Sequence, residues 1–223
     1  MDAASTSADA GKRAAGEAAA GLVDDGMAVG LGTGSTVAFF LPALANRDLD
    51  VRCVATSPGT AEAAAGLGLA VEDFDTIGRL DIAIDGADQV SPDGWLVKGG
   101  GGAHLREKIV AVAADRLVVI VDDSKLVDAI GPPVPLELFP FGLPATLKRL
   151  ATHGDVQRRD APPSPDGGVI ADFYGPADDP PGLAARLDAD PGVAGHGLFA
   201  AELGAEVLSG YADGSVERLP FSA

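Results

Sequence analysis

Short apolar segments alternate with helix-like segments over the first 130 residues, and this alternation restricts the possible folds more than any other feature. The apolar segments contain few polar residues, which is typical of parallel strands that are covered on both faces. They span residues 27–31, 51–55, 80–84 and 116–121, and helical patterns span residues 10–23, 37–45, 59–65 and 103–114. We therefore expect an α/β fold: an open, mostly parallel sheet with helices on both faces, of the Rossmann-like type.

The pattern changes after residue 130, where proline-rich segments at residues 131–135 and 161–168 interrupt the alternation. Further helices and strands are predicted at residues 144–153, 168–174, 182–188 and 193–199. Two alternating runs around Asp213-Gly214, residues 206–211 and 216–219, predict a β-hairpin. Periodicity does not decide where this hairpin belongs, and we assign it to the first domain. The predicted domains are residues 1–130 with 203–223, Rossmann-like and catalytic, and residues 131–202, a smaller α+β domain.

The charge of the 223-residue chain excludes several classes of partner. It has 33 Asp and Glu residues against 16 Lys and Arg residues, a formal net charge of −17. A surface this acidic argues against binding to nucleic acids or to anionic membranes, since both require clusters of Lys and Arg. Dense carboxylates repel one another in dilute buffer, so we expect a halophilic-type adaptation to high salt. An ordinary acidic protein is the alternative.

The sequence also bears on location and on cysteine chemistry. The first residues lack a basic segment followed by an apolar run, so no signal peptide is predicted. Glycines and Pro42 interrupt the uncharged residues 26–46 too often for a membrane span, and we predict a cytoplasmic protein. The single cysteine, Cys53, excludes an internal disulfide and lies in a predicted strand, so we interpret it as a core residue.

A glycine-rich segment, Gly-Thr-Gly-Ser-Thr at residues 32–36, follows the first apolar strand and precedes a helix. Glycines at this place let backbone N–H groups approach an anion, and Ser35 and Thr36 add hydroxyl groups. A dinucleotide site would need the spacing G-x-G-x-x-G and an acidic residue after the next strand, and both are missing. The segment therefore predicts a phosphate-binding loop, with a simple tight turn as the alternative.

Charged residues follow two later strands. Asp85 and Asp88 come after residues 80–84, where α/β sheets place their ligands. These carboxylates can accept hydrogen bonds from sugar hydroxyls or move protons, or they can simply close the strand with an Asx-turn. The segment Asp-Asp-Ser-Lys, which ends at Lys125, follows residues 116–121 and offers a cation for a phosphate.

Four consecutive glycines, residues 99–102, lie between Lys98 and a predicted helix. Their N–H groups form a dense set of donors that can hold an oxyanion. Glu107 lies in the helix between Arg106 and Lys108. Successive residues of a helix point about 100° apart, so Glu107 can turn inward while its neighbours stay at the surface. A merely solvated glutamate is the alternative.

In this order, the four segments resemble the type A family of ribose-5-phosphate isomerases. The similarity covers GTGST, DGAD, KGGG followed by REK, and DDSK followed by PVPLELFP, and it weakens toward the end of the chain. It implies an aldose–ketose isomerisation between ribose 5-phosphate and ribulose 5-phosphate, without a metal or a cofactor. It also implies a homodimer or homotetramer whose partner is a small sugar phosphate.

The resemblance further implies roles for individual residues. Glu107 is implied as the proton-transferring base. From the chemistry of the reaction, we assign the stabilisation of an enediolate to Lys98 and the glycine amides, and the transfer of a second proton to Asp85. The implied substrate contacts are Thr33, Gly34, Ser35, Thr36, Asp85, Gly86, Ala87, Asp88, Lys98, Gly99, Gly100, Gly101 and Lys125. We add Lys12 as a cation that can fold over the phosphate. The three histidines lack paired metal-ligand spacing, and no metal site is predicted.

Two other functions stay open at this point: a non-catalytic sugar-phosphate sensor and a related sugar-phosphate deaminase. The chain has no spare segment for a helix-turn-helix regulator, and the KGGG and REK block argues against a deaminase. The chain also departs from the family pattern at Gln89, where glutamate is usual, and at His104, where a small or aliphatic residue is commoner. Residues 166–168 are shortened. These departures concern fine tuning, because none replaces a residue with an implied catalytic role.

Overall fold

A computed structural model of the chain describes residues 3–220, with side chains from residue 6 to residue 219. The helices in this part of the chain are α1 (Ala3–Ala20), α2 (Val37–Ala45), α3 (Pro58–Gly66), α4 (Phe74–Ile77), α5 (His104–Ala113), α6 (Leu143–Leu150) and α7 (Pro180–Asp188). The strands are β1 (Ala28–Leu31), β2 (Arg52–Ala55), β3 (Ala70–Val71), β4 (Ile82–Gly86), β5 (Gln89–Val90), β6 (Leu96–Val97), β7 (Leu117–Asp122), β8 (Val134–Leu138), β9 (Val156–Arg158), β10 (Val169–Phe173), β11 (Val193–His196), β12 (Leu198–Phe199), β13 (Glu206–Gly210) and β14 (Val216–Pro220). Single 3-10 turns span Asp123–Lys125 and Ala201–Leu203.

The chain forms two compact units. The first contains the residues up to 87, residues 106–126 and the residues from 201 onward, and the second contains residues 88–105 and 127–200. The predicted boundaries differ from this division at residues 201–202, which belong to the first unit, and at residues 88–105 and 127–130. The last two ranges join the second unit because β5 and β6 pair with each other and β6 pairs with β12. The N–H of Val127 also donates to the carbonyl oxygen of Val90.

The first unit contains a seven-stranded sheet in the order β14-β13-β7-β4-β1-β2-β3. Its neighbouring strands are parallel except β13 and β14, which form the predicted hairpin at one edge. Side chains of β1 alternate between the faces: Val29 and Leu31 join the core with α1 and α2, whereas Gly30 faces Val110 of α5. Helices therefore cover both faces of the sheet, which confirms the predicted fold class.

Helix α1 packs closely against α2. A Cβ at Gly16 would lie 2.8 Å from the backbone nitrogen of Phe40, so glycine at this position lets the two helices approach. The Phe40 side chain is fully buried in the core beside them. The helix spans Ala3–Ala20 rather than the predicted residues 10–23. None of the described helices is both long enough and apolar enough to cross a membrane.

Cys53 lies on β2 and is fully buried, which confirms its interpretation as a core residue. Burial raises the pKa of its thiol to about 11, with a smaller contribution from the charge of Glu72. The thiol is therefore neutral at physiological pH and unreactive as a nucleophile.

The second unit contains two antiparallel sheets, ordered β11-β8-β10-β9 and β12-β6-β5, together with α6 and α7. The proline-rich segment 131–135 leads into β8, where the Pro135 carbonyl oxygen accepts a hydrogen bond from the Gly197 N–H. One prediction was wrong in this unit. The predicted strand 193–199 is two strands in different sheets, since the chain changes partner at Gly197. A Cβ there would lie 2.1 Å from the carbonyl oxygen of Lys98.

Candidate active site

Three of the predicted segments follow neighbouring strands of the first unit. Strands β1, β4 and β7 lie side by side and parallel, and their register pairs Leu31 with Ile84 and Asp85 with Val119. The carboxyl ends of parallel strands meet at one edge of a sheet, where α/β proteins place ligands. The loop at residues 32–36, the Asp85 carboxylate and the turn at residues 122–125 therefore share that edge.

Asp85 is buried against the predicted phosphate loop. Its Oδ1 accepts hydrogen bonds from the N–H of Thr33 at 3.1 Å and from the N–H of Gly86 at 2.7 Å. A Cβ at Gly32 would lie 2.0 Å from the same oxygen, so only glycine leaves room for the carboxylate. Gly86 and Ala87 are half-buried at the end of β4. These contacts join two predicted segments and fix the orientation of the Asp85 carboxylate.

The Thr33 hydroxyl belongs to a cluster of hydroxyl groups that sequence reasoning missed. Its Oγ1 lies 2.9 Å from Thr56 Oγ1, 2.8 Å from Ser57 Oγ and 3.1 Å from Thr60 Oγ1. Thr60 in turn donates to the carbonyl oxygen of Gly32. The cluster thus ties the loop to the start of α3. The sequence signal was the segment Ser-Pro-Gly-Thr at residues 57–60, in which Ser57 caps the helix by accepting from the Thr60 N–H.

The rest of the loop leads directly into α2. Gly34 has a φ of +135°, a backbone conformation that favours glycine. Ser35 is exposed, and Thr36 is buried and makes no side-chain hydrogen bond that caps the helix. The first N–H groups of a helix have no partner within the helix, so this end of α2 suits an anion.

Glu107 lies in the first turn of α5 and is 3% exposed. Val110, three residues further, shares its side of the helix and packs on β1, where a Cβ at Gly30 would lie 2.6 Å from Val110 Cγ1. Arg106 and Lys108 are only half-buried. Glu107 therefore turns toward the sheet while its charged neighbours stay partly exposed, an arrangement that the helical spacing allows.

The turn that carries Lys125 is fixed by Asp122. Asp122 is buried at the end of β7, and its Oδ1 accepts hydrogen bonds from the N–H of Ser124 at 3.2 Å and from the Ser124 hydroxyl. Lys125 closes the 3-10 turn and is half-buried. Helix α1 packs beside the turn: a Cβ at Gly11 would lie 3.3 Å from the Asp122 Cβ. Lys12, next along this helix, forms an ion pair with Asp9 at 3.8 Å.

In the second unit, Lys98 is 3% exposed and lies against an aromatic ring. Its Nζ is 5.2 Å from the centroid of the Phe199 ring, a cation–π contact, and its backbone N–H donates to the Gly197 carbonyl oxygen at 2.8 Å. Phe199 was not predicted as a site residue. The only sequence signal was its place in the GLFA segment at the end of the second domain.

The glycine segment that follows Lys98 is closely surrounded by side chains. Gly99 has a φ of +107°, and a Cβ there would lie 2.7 Å from His104 Nδ1. The Gly100 N–H donates to Asp88 Oδ2 at 2.8 Å. Gly100 and Gly101 are exposed. Asp88 thus contacts the glycine segment, and the Gly100 amide that was predicted as an oxyanion donor is already engaged by this carboxylate.

Arg159 is a second residue that sequence reasoning missed. Its Nη1 donates to the carbonyl oxygens of Gly99 and Gly100, at 2.9 and 3.0 Å. Its other nitrogens form a two-point ion pair with Asp172. The hydrogen bond with Asp172 raises the pKa of the Arg159 guanidinium, and the charge of Asp88 adds to this. Nothing in the local sequence distinguishes Arg159 from its neighbour Arg158.

The residues that depart from the family pattern are closely packed or hydrogen-bonded in the second unit. The Gln89 amide donates to the Gly131 carbonyl oxygen at 2.8 Å and accepts from the Gly131 N–H at 2.9 Å, a double contact that a glutamate carboxylate cannot make. His104 is fully buried. In the shortened turn, a Cβ at Gly168 would lie 2.3 Å from Glu137 Oε1, and Glu137 accepts a hydrogen bond from Ser164.

The sequence matches a known family over most of its length. The family model of ribose 5-phosphate isomerase A (phosphoriboisomerase A) matches residues 52–214. Ribose-5-phosphate isomerase A of Caulobacter sp. strain K31 is 44% identical over 226 residues, covering 96% of this chain and all of that protein. The isomerase A of Halobacterium salinarum strain R1 is 47% identical, covering 84% of this chain and 87% of that protein.

Solved structures of the same family have the same fold. Ribose 5-phosphate isomerase A from Neisseria gonorrhoeae superposes with a TM-score of 0.90 at 31% identity, covering 95% of this chain and 96% of that one. A D-ribose-5-phosphate isomerase in complex with phospho-erythronic acid superposes with a TM-score of 0.89 at 31% identity, over 99% of this chain and all of that one. Sequence and fold agree with the four motifs, and the chain belongs to the ribose-5-phosphate isomerase A family.

Proposed function

We propose that this aldose–ketose isomerase uses Glu107 as its proton-transferring base and that its reaction passes through an enediolate. The observation that carries the proposal is the burial of Glu107, which is 3% exposed on the sheet-facing side of α5. A general base must be positioned at its substrate, and a site closed around it keeps out bulk water. A carboxylate on a buried helix face fits such a site better than the exposed carboxylates of this acidic chain.

The isomerisation moves a carbonyl group from C1 to C2 of the sugar. Glu107 removes the proton from C2, the released electron pair forms the C1–C2 double bond of the enediolate, and Glu107 returns a proton to C1. A second proton moves from O2 to O1. We assign this transfer, and help in opening the furanose ring, to Asp85, whose carboxylate is oriented by the N–H groups of Thr33 and Gly86.

The negative charge of the enediolate requires fixed positive potential. We assign this role to the buried Lys98 ammonium and to the amides of the glycine segment. The Gly100 amide acts through Asp88, which it orients, so the direct amide contribution falls to Gly99 and Gly101. Asp88 is exposed and has its second oxygen available for the sugar hydroxyl groups.

The phosphate group of the substrate is assigned to residues 33–36 with Lys125, and Lys12 folds over it from α1. Backbone N–H groups at the start of α2 and two cations suit a dianion. In a chain with a net charge of −17, local cations are required to admit an anionic substrate at all. The proposed reaction uses no metal and no cofactor.

The oligomeric state and the location in the cell are also proposals. We propose a cytoplasmic homodimer or homotetramer, on the family resemblance. Sedimentation equilibrium of the purified chain measures the assembly directly, and a monomer at the concentrations used for activity assays would contradict it.

The assignment of the base is tested by Glu107→Gln, which keeps the size and hydrogen-bonding capacity of the side chain but cannot accept a proton. Ribulose 5-phosphate formation is followed with a chelator present. We expect kcat to fall by roughly 10²–10⁴-fold, the usual contribution of a positioned base, with an unchanged melting temperature. Glu62→Gln, on the exposed side of α3, is the matched control. If Glu107→Gln turns over at nearly the parent rate, the role of base passes to Asp85.

A further inference from the structure

We infer that Arg159 is a positioning residue for the reaction: it sets the direction of the Gly100 amide, which orients Asp88, and of the Gly101 amide, which faces the enediolate. The inference rests on the proposed function, in which Lys98 and the glycine segment stabilise that intermediate. It adds Arg159, which lies about 60 positions from the glycine segment in the chain and does not itself touch the substrate.

The guanidinium holds two consecutive peptide groups at once. Arg159 Nη1 lies 2.9 Å from the Gly99 oxygen and 3.0 Å from the Gly100 oxygen. Nε and Nη2 lie 2.7 and 2.6 Å from the two oxygens of Asp172 on β10. The Arg159 side chain is 21% exposed and that of Asp172 is 13% exposed, so the pair is largely shielded from water. Asp172 thus fixes the plane of the guanidinium that binds the glycine carbonyls.

The direction of the amides follows from the planarity of the peptide bond. In a trans peptide group the N–H points opposite to the C=O, and none of these bonds is cis. Binding of the Gly99 oxygen therefore turns the Gly100 N–H away from Arg159, where it donates to Asp88 Oδ2 at 2.8 Å. Binding of the Gly100 oxygen turns the Gly101 N–H away from Arg159 in the same manner. Glycine has wide conformational freedom, so without these contacts neither direction is fixed.

The positive charge of Arg159 also acts on the strength of these donors. A carbonyl that accepts a hydrogen bond from a cation polarises its peptide group, which makes the N–H on the other side a stronger donor. A planar guanidinium can bind a carboxylate at two points while a third nitrogen reaches a carbonyl, and a lysine ammonium has no such geometry. Charge alone is therefore insufficient, and Arg159→Lys separates charge from geometry.

The test compares variants of Arg159 in the full-length enzyme. Arg159→Ala is expected to lower kcat about 10- to 100-fold, the scale of a lost charge-assisted hydrogen bond, while the affinity for inorganic phosphate stays at the parent value. The affinity for phospho-erythronic acid, whose carboxylate is anionic as the enediolate is, falls in parallel with kcat/KM. Added guanidinium chloride at low millimolar concentration restores part of the kcat, and sodium chloride at the same concentration does not.

Arg149→Ala is the matched control, because Arg149 forms the same two-point ion pair with Asp190 in the same unit. It is expected to leave kcat unchanged. Arg159→Lys keeps a charge beside Asp172 and covers the case in which Arg159→Ala does not fold. We expect Arg159→Lys to fold and to have a lower kcat than the parent enzyme.

Two results would overturn the inference. The first is a kcat for Arg159→Lys that equals the parent value. The second is a decrease in the kcat of Arg159→Ala that added guanidinium does not restore and that Arg149→Ala shows to the same extent. The Glu107→Gln variant, run alongside, separates this outcome from a failure of the proposed base. Full activity of Glu107→Gln refutes the base, whereas an inactive Glu107→Gln with an unaffected Arg159→Lys refutes only the role of Arg159.

Discussion

The two glycine-rich segments of this chain are held in place by different means. Residues 32–36 follow β1, a central strand of the large sheet, and Gly32 packs directly on the buried Asp85. Residues 98–101 leave a strand of only two residues, and their backbone is bound by the side chains of Asp88 and Arg159. The first loop is thus held by close packing and hydrogen bonds to buried neighbours, and the second by the more exposed charged side chains of Asp88 and Arg159.

This difference determines which changes each segment tolerates. A loop shaped by packing is sensitive to any added atom, because its neighbours are buried and cannot move. In the second segment, Gly100 tolerates a small added atom better, because its neighbour Asp88 is exposed. Gly99 does not, since a Cβ there would lie 2.7 Å from His104 Nδ1. The predictions below use this contrast, from the largest expected effect to the smallest.

The largest effect is expected for Gly32→Ala. The added Cβ would lie 2.0 Å from Asp85 Oδ1 and 2.6 Å from Asp85 Cβ, so a buried carboxylate must move. We expect a loss of roughly 1–3 kcal/mol in the free energy of unfolding, the usual cost of overpacking, together with most of the activity. Chemical denaturation and steady-state kinetics measure both.

Gly100→Ala in the second segment is expected to be milder, because its Cβ would meet the exposed Asp88 carboxylate at 2.9 Å, and that side chain can turn away. Gly59→Ala in α3 meets nothing within 4 Å and is the control for the substitution itself. If Gly100→Ala destabilises the chain as much as Gly32→Ala, the contrast between the two loops is wrong.

An intermediate effect is expected for Lys125→Ala, which removes a proposed phosphate contact of the first loop. Losing a hydrogen bond to a charged group weakens binding by roughly 10- to 100-fold. Inorganic phosphate and ribose 5-phosphate should be weakened alike, as measured by competition kinetics. Free ribose should be a very poor substrate of the parent enzyme, and comparable rates on ribose and ribose 5-phosphate would remove the proposed role of this loop.

The smallest effect concerns salt. Between about 0.1 M and about 1 M KCl the screening length falls from about 10 Å to about 3 Å, so repulsion among surface carboxylates weakens. We expect the melting temperature to rise over this range, as a halophilic-type surface requires. The Arg159–Asp172 ion pair is largely shielded from water, so salt should not weaken it. The ratio of the kcat of Arg159→Lys to that of the parent enzyme should therefore stay the same over this range. A melting temperature that stays flat or falls would contradict the proposed adaptation to salt.

The sequence predicted those parts of the site that depend on local pattern. The strand, glycine loop and helix at residues 27–45 follow from apolar runs and glycine spacing, and helical geometry shows that Glu107 can turn inward apart from its charged neighbours. The sharing of one sheet edge by Asp85 and Lys125 follows from the alternation of strands and helices. Each of these requires knowledge of only a few neighbouring residues.

The parts that could not be predicted depend on contacts between distant segments. Arg159 reaches the glycine segment across about 60 residues, and the Thr33 hydroxyl meets partners 23 to 27 residues away. Residues 88–105 looked like part of the first domain because they lie between two of its strands. Their strand pairing with β12, which comes about 100 residues later, places them in the second unit. No local pattern carries such information.

The central claim, that Glu107 removes the C2 proton, is tested most directly by exchange of that proton with solvent. Ribose 5-phosphate is incubated in deuterated water with the parent enzyme or with Glu107→Gln, and NMR follows the replacement of the C2 proton by deuterium in the remaining ribose 5-phosphate, separately from conversion to ribulose 5-phosphate. The parent enzyme should exchange the proton as it turns over, and the variant should exchange it roughly 10²–10⁴-fold more slowly while still binding phospho-erythronic acid. Exchange by Glu107→Gln at nearly the parent rate would show that another group, with Asp85 the first candidate, is the base.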